Sequence, residues 1–416
     1  MNILYLHQYF ATPASSTSIR SYVFAKKLVD SGHKVTVITT DAFLENEQPY
    51  QISGHVKHYQ FDGIEVRAVS SSYSNYMNKY QRIREFVKFS YMAQKIGKKQ
   101  KNADLIFATS TPLTIGIPAM QLKRKLKIPY IFEVRDLWPE APIQLGYLSS
   151  KPAITLARWL EKKIYQHAEH IIALSPGMAK GVIATSQKAD KVSVIPNLAD
   201  LNLFQDDNVD EHLRHRLIRQ LDLEGKFVLT HIGAMGEANG LEHLVEAALH
   251  LKRKNIMNVK ILIVGNGKTK PRLSAFCEQH ALENVQFLDT IKKEEVPTYT
   301  SLANVTMTSF LPKPILATNS PNKFFDSLAA GKPIIVNSSG WTRKIVESEG
   351  IGYYADPKKP KDLASLLMVL SKHKNELAHM KPKIRSVATK KFSAEKLAND
   401  VLAIVSSIDK ERSIKK

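Results

Sequence analysis

The strongest restriction on what this chain can fold into is the alternation at its start. Asn2 to Leu6 is a short apolar run, followed by a loop from His7 to Ser16 that contains Pro13. From about Thr17 to Asp30, Ile19, Val23, Phe24 and Leu28 recur at helical spacing. Ser31-Gly32-His33 ends that helix, and Lys34 to Thr40 is a second β-rich run. Strand, helix and strand joined this tightly make a βαβ unit, which requires a parallel sheet with a right-handed crossover. Such sheets bind ligands beyond the carboxyl ends of their strands, which places the His7–Ser18 loop at a binding region with Arg20 in the first helical turn. Ser15, Ser16 and Thr17 stand where a dinucleotide fingerprint would have glycines, so that class of cofactor has no support here.

The alternation continues through strands at 64–69, 104–108, 129–132, 170–174 and 192–195, and then pauses. Residues 200–210 are acidic and without periodicity, the composition of a linker. Beyond them the pattern restarts. A strand at 227–232 leads into the loop Gly233–Gly240, and a strand at 259–264 leads into Gly265-Asn266-Gly267-Lys268. Glycine-rich loops between a strand and a helix let backbone N–H groups approach a phosphate. With 416 residues, two domains are expected, spanning 1–198 and 199–392, with residues 393–416 as a final amphipathic helix returning to the first. One cysteine, Cys277, excludes an internal disulfide and any cysteine-based metal cluster, and fits a reducing compartment. The start of the chain shows no basic leader or cleavage site, so no signal peptide is expected. No apolar run approaches the roughly 20 residues a membrane-spanning helix needs.

Two stretches carry chemistry. In Ser320-Pro-Asn-Lys-Phe-Phe-Asp326-Ser-Leu-Ala-Ala-Gly331, Ser320 reads as a helix N-cap, Pro321 as the first helical position and Gly331 as the stop. Lys323 and Asp326 then share one face near the positive end of the helix. The ammonium, with Pro321 and Asn322 at the helix start, suits a phosphate, and the carboxylate suits the vicinal hydroxyls of a ribose. An ordinary surface salt bridge is the competing reading. The second stretch is Phe132-Glu-Val-Arg135-Asp136-Leu-Trp138-Pro-Glu140, just past a buried strand. Asp136 or Glu140 can orient a sugar hydroxyl or take its proton, with Arg135 beside them and Trp138 as a stacking face. A structural Arg–Asp pair over a core tryptophan is the alternative.

The formal net charge is +20, and its placement matters more than its size. Between Lys79 and Lys101 lie Lys79, Arg82, Arg84, Lys88, Lys95, Lys98, Lys99 and Lys101 against Glu85 alone, interleaved with Tyr80, Ile83, Phe86, Val87, Phe89, Tyr91 and Met92. This is the composition of an interfacial helix, expected to pack its apolar face inward and turn its basic residues to anionic lipid. A nucleic-acid-binding protein is the rival reading of the charge, but no helix-turn-helix, RNA-recognition or zinc signature accompanies it.

The pattern Pro321-x-Lys323-x-x-Asp326-x-x-Ala329-x-Gly331-x-Pro333, with Val194-Ile-Pro196-Asn197 and Val264-Gly-Asn-Gly267, resembles the GT-B glycosyltransferases of family four over nearly the whole chain. Arg135-Asp136-Leu-Trp138-Pro139-Glu140, with Arg20, is similar to a branch that makes bacterial O-antigen and capsule polysaccharide, including N-acetyl-fucosamine transferases. The resemblance implies an α/β GT-B fold, two Rossmann-like domains facing across a cleft, with the last helix crossing back to the N-terminal domain. It also implies a retaining, metal-independent transfer from a UDP-sugar to a polyprenyl-diphosphate-linked glycan, by a cytoplasmic protein peripheral to the inner face of the plasma membrane. No cofactor beyond the nucleotide sugar is implied. Carried over, Asp326 would hold the ribose, Lys323 the phosphate, and Gly265, Asn266, Gly267 and Lys268 would line the base pocket, with Gly233 in the first loop. A UDP-sugar 2-epimerase of the same architecture is the rival enzyme.

This chain departs from the pattern at three places. Thr318 and Asp326 replace two glutamates, Ala234 and Asn239 replace a cationic pair, and Ser15 and Ser16 replace paired glycines. The diphosphate therefore has to be met elsewhere, and Lys323, Lys268 and Arg20, near Ser16 and Thr17, are the candidates.

Overall fold

The computed structural model describes residues 1–15, 18–44, 46–71 and 77–414. It divides into two units, Met1–Pro196 with Glu395–Lys416, and Asn197–Ala394.

The first unit is built on nine strands: β1 (Asn2–Leu6), β2 (Lys34–Thr40), β3 (Gln51–Ser53), β4 (Val56–Phe61), β5 (Ile64–Val69), β6 (Leu105–Thr109), β7 (Tyr130–Val134), β8 (His170–Ala173) and β9 (Val192–Val194). Their order is β3-β4-β5-β2-β1-β6-β7-β8-β9. From β5 to β9 the neighbours run parallel, while β3–β4 and β4–β5 are antiparallel. Every residue of β6 and β7 is buried, as expected of strands covered on both faces. The β4–β5 turn, Asp62-Gly63, is a two-residue hairpin with positive φ at both positions. That hairpin edge is absent from the periodicity reading, although the Asp-Gly pair is its signal.

The second unit has six parallel strands, β10 (Phe227–Ile232), β11 (Val259–Val264), β12 (Val285–Leu288), β13 (Val305–Thr308), β14 (Ile334–Val336) and β15 (Gly352–Tyr354), ordered β12-β11-β10-β13-β14-β15. In each sheet the winding direction reverses beside the first strand of the unit, between β1 and β6 and between β10 and β13. Crevices at such reversals are where open α/β sheets take their ligands.

Several local expectations change. Residues 200–210 are no slack linker. Phe204 is buried with Phe324, Phe325 and Ile384, and Asp206 pairs with Lys381 and Arg385 at 2.8 Å each. The first helix begins at Arg20 rather than Thr17, and the last runs from Ala394 to Ile414. Ser320 is not the cap of the next helix, Asn322–Ala330. Pro321 takes that place, while the Ser320 hydroxyl and carbonyl accept from the Asn197 backbone and side-chain nitrogens at 3.2 and 2.6 Å.

Candidate functional site

The two glycine loops of the second unit are stacked on each other. Gly233 N–H donates to the Val264 carbonyl, Met235 N–H to Asn266 O, and Gly265 N–H to Leu288 O, at 2.9, 2.9 and 3.0 Å. A Cβ on Gly265 would collide with the Gly233 carbonyl, and one on Gly267 with that of Met235. Both have positive φ, near +136° and +154°. These glycines therefore let the loops close together, and the N–H groups named above are engaged inside the protein. Asn266 caps its own turn by accepting from Gly267 N–H at 2.7 Å, and Lys268 is exposed.

Beneath Gly233 runs the side chain of Lys323, whose Cε lies 3.4 Å from where a Cβ would stand. Its ammonium donates to Asn239 Oδ1 at 3.0 Å and to His231 Nε2 at 3.3 Å. His231 is fully buried, with Nδ1 3.2 Å from the Met307 carbonyl. Nδ1 therefore carries the proton and Nε2 accepts. Burial first, and then the Lys323 charge, hold His231 well below its usual range, so it is neutral. No carboxylate stands within ion-pair distance of Lys323 among the described residues. The ammonium is thus held by two neutral acceptors, and its charge remains available to a ligand. Asn239, at the position of a missing cation, orients another one.

Asp326, one turn along, lines with Lys323, Thr230, Thr300 and Val296 a cavity of about 20 Å³, room for about one water. Burial pushes its carboxyl up to about 7, helped by Asp200 and opposed by Lys293 and Lys323. Burial likewise draws the Lys323 amine down to about 8, against the pull of Asp326. Asn322 is exposed at the first helical position.

In the first unit, the carboxyl ends of β1, β6 and β7 bring His7, Thr111, Arg135 and Asp136 together. Arg135 Nη1 lies 3.3 Å from His7 Nε2, and Arg135 N–H donates to Ser110 Oγ at 3.0 Å. Asp136 accepts from the Thr111 hydroxyl at 3.0 Å, and burial raises its pKa. Glu140 lies apart in the short helix Glu140–Gln144, where its carboxylate accepts from Gln144 at 2.8 Å and Arg158 at 3.3 Å on the surface.

Arg20 is not presented to the loop as a phosphate ligand. It is completely buried, pairs with Glu133 at 2.9 Å, and donates its remaining edge to the Ile195 and Pro196 carbonyls. Its charge is neutralised, so it is a structural anchor for the last residues of the first unit. Ser16 and Thr17 lie outside the described residues.

The basic helix spans Lys79–Gly97 and has two apolar faces. Phe86, Phe89, Ala93 and Ile96 are buried, whereas Tyr80, Ile83, Val87 and Tyr91 are 51–81% exposed. Arg82, Arg84, Lys88, Lys95, Lys98 and Lys99 are exposed too. Of the apolar residues expected to turn inward, Phe86 and Phe89 do, Met92 is half-buried, and Tyr80, Ile83, Val87 and Tyr91 face outward. A second exposed patch, Leu156 and Trp159 on helix Lys151–His167, was not singled out from the sequence. No helix among the described residues is long and apolar enough to cross a membrane.

Residues 18–198 match the family model of the glycosyl transferase 4-like domain, and residues 214–387 match glycosyl transferases group 1. The chain is 25% identical over 303 residues to WcaI of Escherichia coli (strain K12), named as a colanic acid biosynthesis glycosyl transferase, covering 68% of this chain and 70% of that one. Its fold is similar to Anabaena Alr3699/HepE in complex with UDP, with TM-score 0.71, 16% identity and 98% and 100% of the two chains covered. It is also similar to sucrose-phosphate synthase from Thermosynechococcus elongatus, with TM-score 0.76, 18% identity and 99% of both chains covered. These likenesses establish the GT-B architecture.

Proposed function

We propose that this chain, a glycosyltransferase made of a 4-like domain followed by a group 1 domain, moves a sugar from a UDP-sugar to a lipid-linked glycan in surface polysaccharide synthesis. The observation that carries the donor half is Lys323, a cation held by neutral His231 and Asn239 at the carboxyl end of the second sheet. An ammonium without a carboxylate partner stabilises the diphosphate as it leaves, where negative charge develops. Asp326, on the same helix face, receives the ribose hydroxyls. The HepE complex holds UDP, which supports a uridine donor.

In the first unit, Asp136 orients the acceptor hydroxyl. The departing phosphate takes that hydroxyl's proton, and transfer proceeds with retention and without a metal. WcaI's name supports a surface polysaccharide as product. The donor sugar we favour is an N-acetylated amino sugar such as N-acetyl-fucosamine, and the acceptor is carried on polyprenyl diphosphate. The exposed stripe Tyr80–Ile83–Val87–Tyr91, flanked by arginines and lysines, rests on the anionic inner face of the plasma membrane, where each basic residue contributes about 1 kcal/mol.

The test is incubation of the protein with a panel of UDP-sugars, with and without lipid-linked acceptor. Acceptor-dependent release of UDP is expected. Isomerised nucleotide sugar without acceptor would instead establish an epimerase, and failure to bind any UDP-sugar would refute the donor assignment.

A further inference from the structure

The second unit's pairing of a cation with a buried neutral histidine has a counterpart in the first. His7 follows β1 and His231 is the next-to-last residue of β10, each at the carboxyl end of the first strand of its unit. His7 is 2% exposed, and its Nε2 is 3.3 Å from Arg135. A guanidinium can only donate, so Nε2 accepts and Nδ1 carries the ring proton. Burial, reinforced by the Arg135 charge, holds His7 well below its usual range. Its Nδ1 is then a buried donor that reaches no acceptor among the described residues. Such a group calls for an explanation, because an unmade buried hydrogen bond costs about 1–3 kcal/mol.

Arg135 is also unusual for a half-buried arginine. Beyond His7, its guanidinium reaches no hydrogen-bond or ion-pair partner among the described residues. Its sequence neighbour Asp136 feels the guanidinium's charge but makes no ion pair with it, accepting instead from the Thr111 hydroxyl. Arg20, in the same unit, is the opposite case, with Glu133 and two carbonyls closing its donors. One arginine builds the fold, and the other keeps its charge and most of its fork open.

We propose that Arg135, positioned by His7, is a second anion site, separate from the Lys323 site. It binds an oxyanion of the acceptor, a phosphoryl or a sugar carboxylate, next to the hydroxyl that Asp136 orients. This rests on the transferase reading for the word acceptor, but the anion site itself does not. A neutral histidine suits the purpose because it fixes one N–H of the fork without cancelling the charge. A carboxylate in its place would pair with the guanidinium and close the site.

The experiment uses full-length Lys323→Met protein, so that the second unit's ammonium cannot answer the probe. Calorimetric titrations with inorganic phosphate and, separately, with glucuronate separate the two oxyanion sources. One equivalent of at least one probe should bind. Adding Arg135→Gln should weaken that binding by tenfold or more. Adding His7→Leu should weaken it several-fold, and His7→Gln, which retains an acceptor, should recover most of the loss. Binding of neither probe, or binding indifferent to Arg135→Gln, overturns the proposal. If His7→Leu does not fold, Arg135→Gln and His7→Gln still decide it. UDP titrated into the wild-type protein tests the donor assignment independently, so the two failures are distinguishable.

Discussion

Replacing Lys323 with methionine separates a functional cation from a structural one, because the two roles move stability and affinity in opposite directions. Burial lowers the amine from 10.5 to about 8, so keeping it charged at neutral pH costs the folded protein on the order of 3 kcal/mol. Methionine removes that cost but leaves the fully buried His231 Nε2 without its donor, a loss of about 1–3 kcal/mol, while the half-buried Asn239 Oδ1 turns to water. The variant should therefore be as stable as the wild type at pH 7, or up to about 2 kcal/mol more stable. Its affinity for UDP should fall about 10- to 150-fold, the equivalent of a charge-assisted hydrogen bond of about 1.5–3 kcal/mol.

The pH dependence adds a second check. Between about pH 8 and 10.5 the unfolded lysine binds more protons than the folded one, so wild-type stability rises with pH from this group. That rise should vanish in the variant. Urea denaturation at pH 7 and pH 9, with calorimetric titration of UDP, measures all of this. A variant that loses several kcal/mol yet binds UDP normally would refute the reasoning and make Lys323 a structural residue.

UDP binding should be tightest between about pH 7 and 8, falling below as the Asp326 carboxylate protonates and above as the Lys323 amine deprotonates. At pH 8 it should take up a fraction of a proton, seen as binding enthalpies that vary with the buffer's ionisation enthalpy. Glu133→Gln leaves the Arg20 guanidinium buried without its counter-charge and should cost about 3–5 kcal/mol in urea denaturation, with little effect on UDP affinity measured under folded conditions. The double change Ile83→Glu and Val87→Glu should release the protein from vesicles containing phosphatidylglycerol without altering its melting temperature, since both side chains are more than half exposed. Sedimentation with vesicles reads the first effect and circular dichroism the second.

Periodicity carries information about what a segment buries, and burial is what the sheets and their order depend on. The parallel strands of both units, though not the antiparallel edge of the first, were therefore legible from runs such as Lys34–Thr40 and Val259–Val264. So was the end of each sheet at which the candidate residues gather, because strand direction follows from the βαβ connection alone. Lys323 and Asp326 could be placed on one helix face by spacing. Which charges are neutralised could not be read this way, because the partners lie far apart in sequence. Arg20 and Glu133 are 113 residues apart, Arg135 and His7 128, and Lys323 and His231 92. Only the folded chain shows that Arg20 is closed by a carboxylate while Arg135 and Lys323 rest on neutral histidines. The glycine loops changed meaning for the same reason: close approach of loop to loop is a tertiary event, and it consumes N–H groups that the local pattern had offered to phosphate.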